Sequence, residues 1–146
     1  MRGDRSRRAW RALEAAGVFL AALVLYTGIP GVFGGVGDHP FLNWDDNFYI
    51  LENPVIRGLT WENFKAWWTA PYFGNYAPIH LLSYALNHDL RGGLRPGDFH
   101  LTDAVLHAGA SVFALLLLRR LVGPGLPAVL GALLFAFHPV QVESVA

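Results

Sequence analysis

The polarity pattern divides the chain into apolar runs separated by one long mixed segment. From Ala15 to Gly37 no charged residue occurs, and Ala15–Ile29 is continuous enough to be helical. Crossing the hydrocarbon core of a bilayer takes about 20 residues, which this run supplies if its helix reaches past Pro30. A second apolar run extends from about Leu101 to Leu118 and is closed by Arg119 and Arg120. A third follows "VGPGLP", where Pro127 suits the first turn of a helix, and runs through "AVLGALLFAF" to His138. Pro139 disfavours helix at His138, so this run is expected to break there.

The segment between the first and second runs has its own helical signals. In "TWENFKAWW" the residues Trp61, Phe64, Trp67 and Trp68 fall at helical spacing, with Thr60 placed to cap the helix. An amphipathic helix so rich in aromatics is expected to lie flat among lipid headgroups. A second helix is expected to start at Pro78 and run through "IHLLSYALNHDL" to Gly92. No internal repeat, low-complexity tract or phosphate-cradling glycine loop is evident.

Composition supports a membrane class. The chain is 53% hydrophobic and 15% charged, against roughly 25% charged for soluble domains. Cysteine is absent, which excludes disulfides and thiolate metal sites. The zero formal net charge hides an uneven distribution. Arg2, Arg5, Arg7, Arg8 and Arg11 precede the first run against Asp4 and Glu14 alone, and Arg119–Arg120 stand on the short link after the second. Positive residues stay in the cytoplasm, so both clusters predict one orientation: N-terminus in, long segment out, His138 out. A cleaved signal is the competing reading, since "SRRAW" looks like a twin-arginine export signal and "GGVG" offers small residues. The further spans favour a retained anchor.

The expected fold is therefore an all-α integral membrane protein with three spans and a large outer loop carrying interfacial helices. Its segments are a basic cytoplasmic N-terminus over 1–14, spans over 15–33, 100–118 and 127–138, an outer loop over 34–99, a cytoplasmic link over 119–126 and the start of an outer segment over 139–146. The chain stops inside an apolar pattern at "HPVQVESVA", which reads as the N-terminal part of a longer protein.

Three groups of polar residues stand out because their surroundings make them costly. Asp45 and Asp46 adjoin one another in "FLNWDDNFYILENP". Neighbouring carboxylates repel, and partial desolvation makes at least one hold its proton more tightly. Such a group can take a proton from a hydroxyl nucleophile, or the pair can hold a divalent cation. The plainer alternative is an Asx turn or helix cap. In "FHLTDAVLH", His100, Asp103 and His107 share one helix face. The two imidazoles lie roughly 10 Å apart along the axis, too far to share one metal ion. An Asp103–His107 pair that positions the helix is the favoured reading, so these residues are taken as structural. His138 and Glu143, in "FHPVQVE", fall on the same predicted side as the aspartates. A solvated surface Glu is the alternative there.

Four blocks occur in order: "WDDNFYILENPVI", "NYAPIHLLSYALNHDL", "FHLTDAVLH" and "LLFAFHPVQVESVA". Together, over residues 41–146, they resemble the N-terminal part of bacterial relatives of the transmembrane, tetratricopeptide-repeat O-mannosyltransferase family, within the GT-C class of glycosyltransferases. The resemblance implies a GT-C-like multi-span bundle in a bacterial inner membrane. It would transfer a sugar from a polyprenyl-phosphate donor to a hydroxyl acceptor on a protein, glycan or lipid. It implies catalytic roles for Asp45, Asp46, His138 and Glu143, and substrate or phosphate contacts among Arg57, Tyr76, Arg91 and Arg95. It implies tetratricopeptide repeats beyond the membrane part. The sequence identifies no cofactor beyond a divalent cation that the aspartates can hold, and no nucleic-acid partner is expected. One departure is Ala77 in "YAP", where several relatives carry Arg, which shifts phosphate binding onto other residues. Two other readings compete. One is a non-catalytic membrane scaffold for a downstream repeat array; the other is a transporter or proton relay through Asp103, His107 and Glu143.

Overall fold

The computed structural model describes residues 2–28, 40–41 and 45–145, with the backbone alone described at 2–4, 143 and 144. Six α-helices are present among them: α1 (Arg2–Thr27), α2 (Trp61–Thr69), α3 (Pro78–Arg91), α4 (Pro96–Leu121), α5 (Leu126–Phe137) and the short α6 (Val142–Val145). No β-strand occurs among the described residues beyond an isolated Tyr72–Asn75 bridge. The chain forms two compact units, one of Met1–Val36 with His100–Ala146, the other of Gly37–Phe99.

In the first unit, α1, α4 and α5 meet along seams of small residues four apart. Val18 packs with Leu115, Ala128 and Ala132, Ala22 with Ala108 and Ala136, and Tyr26 with Ala104 and Val145. The order of these layers makes α4 antiparallel to α1 and α5. Where lipid tails are as apolar as the side chains, helices associate by close backbone approach, and alanine at every fourth position permits it. Larger side chains lie outward: Leu20, Phe113, Leu117, Leu130 and Leu134 are all exposed. Two helical stretches, Arg5–Thr27 and Pro96–Leu121, are long and apolar enough to cross a membrane, and only 17% and 28% of their most apolar windows is buried. A core helix of a soluble domain would hide most of that surface. The third expected span is helical over Leu126–Phe137, but 12 residues extend about 18 Å, short of the roughly 30 Å hydrocarbon core.

Helix limits differ from expectation where charge was taken as a boundary. Helix α1 begins at Arg2, because "RSRRAWRALEAA" contains strong helix formers and no breaker. It ends at Thr27, short of Pro30, with Gly28 in the left-handed region at φ 76 and its N–H bonded to Val24 O at 2.9 Å, a glycine stop. Residues 29–33, the remainder of the expected first span, lie outside the described residues. Helix α4 likewise starts at Pro96 and continues past both arginines to Leu121.

The second unit has an aromatic core in which Trp67, Phe99, Ile56 and Leu81 are almost wholly buried, each contributing about 1.5–3 kcal/mol when removed from water. Thr60 caps α2, its Oγ1 accepting Asn63 N–H at 3.1 Å. The four aromatics of α2 divide. Trp67 enters the core and donates Nε1–H to Val55 O at 2.9 Å, whereas Trp61, Phe64 and Trp68 remain exposed. Helix α3 runs between its expected signals, Pro78 in the first turn and Gly92 at φ 73 after the last.

Candidate active site

The aspartate pair leads into a wide helical turn, Asn47–Leu51, closed by Glu52 N–H on Asn47 O at 2.8 Å. Five residues separate donor and acceptor, the spacing of a π-turn, which recurs at functional sites. Asp45 is exposed and Asp46 half-buried. Asp46 occupies the cap position with helical angles (φ −60, ψ −32), and its side chain makes no cap bond.

The turn is held from three directions. Asn53, fully buried, donates Nδ2–H to Tyr49 O at 2.9 Å and accepts Val55 N–H at 3.0 Å. Arg57 reaches back from the following 3₁₀ turn (Pro54–Ile56) and donates to the carbonyls of Ile50 and Leu51. Tyr72 donates its hydroxyl to Phe48 O at 3.0 Å, and Asn75 donates to the Tyr49 hydroxyl. Tyr72–Asn75 is a tight reversal closed by two 2.9 Å backbone bonds, with Phe73 at φ 47 and Gly74 at φ 82. Positive φ at both central positions is the type I′ geometry, which glycine adopts freely and phenylalanine at about 1–2 kcal/mol. Phe73 stacks on Phe48 with ring centroids 4.4 Å apart and an 11° tilt, and that contact offsets part of the strain. A stacked, exposed aromatic pair thus stands two residues from the acidic pair.

His80, on α3, lies against Tyr84 (4.2 Å) and over Tyr49 (6.0 Å, 25°). The ring keeps an edge in solvent, yet its aromatic surroundings desolvate it and push its pKa below the ordinary imidazole value. Burial, then Glu52 and Tyr49, push the Tyr72 hydroxyl upward.

The other residues singled out from the sequence fall as follows. Tyr76 is exposed and donates its hydroxyl to Trp68 O at 3.1 Å. Arg91 lies 3.9 Å from Asp98, a distance at which an exposed pair adds little. Arg95 accepts Asp98 N–H at its carbonyl. Arg57, among the candidates for phosphate, donates to two carbonyls of the turn that follows the aspartates. In the first unit, His100 and His107 are buried. His107 Nε2 lies 3.1 Å from Ala136 O, with its ring edge-on to Tyr26 and stacked near Phe135, so it ties α4 to α5. Asp103, one turn earlier on α4, is half-buried. Helix α5 stops at His138 as Pro139 requires, and His138 Nδ1 accepts Val140 N–H at 3.2 Å, capping the 3₁₀ turn Pro139–Gln141. Glu143 follows on α6, and its side chain lies outside the described residues.

No three His, Asp or Glu side chains converge among the described residues. A cation at Asp45–Asp46 would therefore draw most of its oxygen ligands from substrate or water. Sequence reading missed Asn53, Tyr49, His80 and the Phe73–Phe48 stack. Gly74 in "FGN" was the available signal for the reversal, as a chain breaker between two aromatic stretches.

The geometry describes a class: a helical protein with two helices long and apolar enough to cross a membrane, and an aromatic unit in which two carboxylates lead into a braced π-turn. Sequence comparison narrows it. The chain is 32% identical over 111 residues to Protein O-mannosyl-transferase Tmtc2 of Drosophila melanogaster, covering 70% of this chain. It is 36% identical over 134 residues to Protein O-mannosyl-transferase TMTC4 of Homo sapiens, covering 75% of this chain. It is also 38% identical over 72 residues to Protein O-mannosyl-transferase TMTC2 of Mus musculus, covering 49%. The chain belongs to the TMTC-like family. It spans 12%, 17% and 8% of those relatives' own lengths. No family model matches the chain, and no solved structure does.

Proposed function

We propose that this chain is part of a multi-pass membrane glycosyltransferase of the GT-C type. It transfers a sugar from a polyprenyl-phosphate donor to a hydroxyl acceptor, with Ser or Thr of a protein as the favoured acceptor. The N-terminus lies in the cytoplasm of a bacterial inner membrane, and the Gly37–Phe99 unit works on the outer face. The observation that carries this reading is the acidic pair, which leads into a turn braced by Asn53, Arg57 and Tyr72. The names of the relatives support the reaction class.

In this mechanism Asp45 accepts the proton of the acceptor hydroxyl as that oxygen attacks the anomeric carbon. The bond from that carbon to the phosphate oxygen breaks, and the phosphate departs with the electron pair. The transition state carries oxocarbenium character, which nearby negative charge stabilises. Asp46 supplies that charge, and the stacked Phe48–Phe73 pair offers a flat apolar surface to a sugar ring. The resemblance gives His138 and Glu143 a part in the reaction as well, and the exposed aromatics of α2 suit contact with a lipid-linked donor at the headgroup level.

The test is transfer by purified full-length protein supplied with a panel of polyprenyl-phosphate sugars. Asp45→Asn is expected to lower turnover by about 10²–10⁴-fold, the usual worth of a positioned general base, while membrane insertion is kept. Undiminished transfer by that variant removes the assigned role.

A further inference from the structure

We propose that the groove at the basic end of the α1–α4 pair binds the phosphate of an anionic membrane phospholipid. The groove encloses about 540 Å³ and is lined by Arg11 from α1, Leu116, Arg119 and Arg120 from α4, and Pro124 from the link that follows. Three of its five lining residues are cationic, and none is acidic. Arg119 is nearly buried, with its side chain 10% exposed, and its guanidinium pairs with the Glu14 carboxylate and donates to Arg11 O at 3.3 Å. Its Nε is buried and has no hydrogen-bond partner. Buried donors in folded proteins nearly always have an acceptor, supplied by ligand or water where the protein provides none. Glu14 offsets one of the three positive charges, so two remain for an anion.

A phosphate on a lipid fits better than one free in solution. The basic end is bordered by exposed Trp10, Leu13, Leu117 and Leu121, an apolar surface of the kind acyl chains cover, with a tryptophan at headgroup depth. Basic pockets between membrane helices on the cytoplasmic side recognise anionic headgroups. Arginines that served only to orient the chain would need neither a concave groove nor a guanidinium buried between two helices. The inference rests on membrane placement alone and is independent of the reaction proposed for the Asp45 turn.

The experiment is equilibrium lipid binding to the full-length protein in neutral detergent, read by native mass spectrometry with phosphatidylglycerol against phosphatidylcholine. Phosphatidylglycerol is expected to bind about tenfold or more tighter. Each arginine near an anionic headgroup is worth about a fivefold change, so Arg11→Gln with Arg120→Gln should weaken phosphatidylglycerol about 25-fold and leave phosphatidylcholine unchanged. Arg119→Lys keeps the charge beside Glu14 and removes Nε, and is expected to reduce the preference with helix content intact. Equal binding of the two lipids, or an unaltered preference in the double variant, overturns the proposal. Displacement of phosphatidylglycerol by millimolar inorganic phosphate would also overturn it, in favour of a free-anion site.

Discussion

Replacing Asn53 by alanine tests how the aspartate-bearing turn is held. The side chain is fully buried and joins two backbone groups that no helix satisfies in its place, Tyr49 O at 2.9 Å and Val55 N–H at 3.0 Å. Alanine removes both bonds and leaves a buried carbonyl and a half-buried N–H to be hydrated or orphaned. At about 1–3 kcal/mol per orphaned group, the expected loss is about 1–3 kcal/mol with water reaching the N–H and the carbonyl left orphaned. The assay is amide hydrogen exchange over residues 47–57 of the protein in detergent. Exchange reports local opening, so that loss corresponds to about 5- to 140-fold faster exchange at a factor of ten per 1.4 kcal/mol. Asn53→Asp gives a sharper signature. Its carboxylate still accepts from Val55 but sets an acceptor against the Tyr49 carbonyl, so protection falls near neutral pH and recovers in acid, where the protonated group can donate. Acceleration below threefold in Asn53→Ala would refute the view that this side chain holds the turn.

Other outcomes are equally specific. Thr60→Ala removes the cap on Asn63 N–H and should destabilise α2 by about 1 kcal/mol, visible as fraying of that helix in exchange with residues 47–57 unaffected. Ala132→Leu places a larger side chain in a fully buried seam shared with Val18 and Leu115; overpacking of this kind costs about 1–3 kcal/mol, measured as a lower thermal midpoint in detergent. Asp89 accepts Leu59 N–H at 2.9 Å and contacts His88, and these bonds, the backbone one first, hold its carboxyl below 3.8. A depressed folded pKa contributes stability above the unfolded value that is lost as pH falls through the folded one. Denaturation midpoints of wild type and Asp89→Asn should therefore differ near neutrality and converge in acid. His80 has the opposite chemistry with the same trend: burial lowers its pKa from 6.5, so stability is full above that value and declines as pH falls below it. His80→Phe should flatten the decline.

Features legible in the sequence were those set by neighbours along the chain. Thr60 before "WENF", Pro78 and Gly92 around α3, and Pro139 after α5 each mark a boundary through local backbone chemistry, and the helices start and stop there. Helices α1 and α4 run past the arginines that bound the apolar runs, because charge marks where apolar surroundings end and not where a helix ends. Periodicity grouped Trp67 with Trp61, Phe64 and Trp68. Only the distant Val55 carbonyl decides that Trp67 turns inward. The positive φ of Phe73 depends on Phe48, 25 positions earlier, and the buried state of Asn53 depends on packing around the whole unit. For the aspartates, the local pattern offers unusual chemistry or an ordinary cap, and the bracing of the turn that follows them depends on Tyr72, 24 positions beyond Phe48.

The five-residue closure from Glu52 N–H to Asn47 O makes the heading of the acidic pair a matter of residue count. Deleting one residue between positions 47 and 51 would let the segment wind as an ordinary α-turn, and each residue of an α-helix rotates the chain by about 100°. Asp45 and Asp46 would then swing to another side of the aromatic unit while every remaining side chain kept its identity. A lineage could retain both carboxylates through many substitutions, yet a single in-frame codon loss here would disarm them.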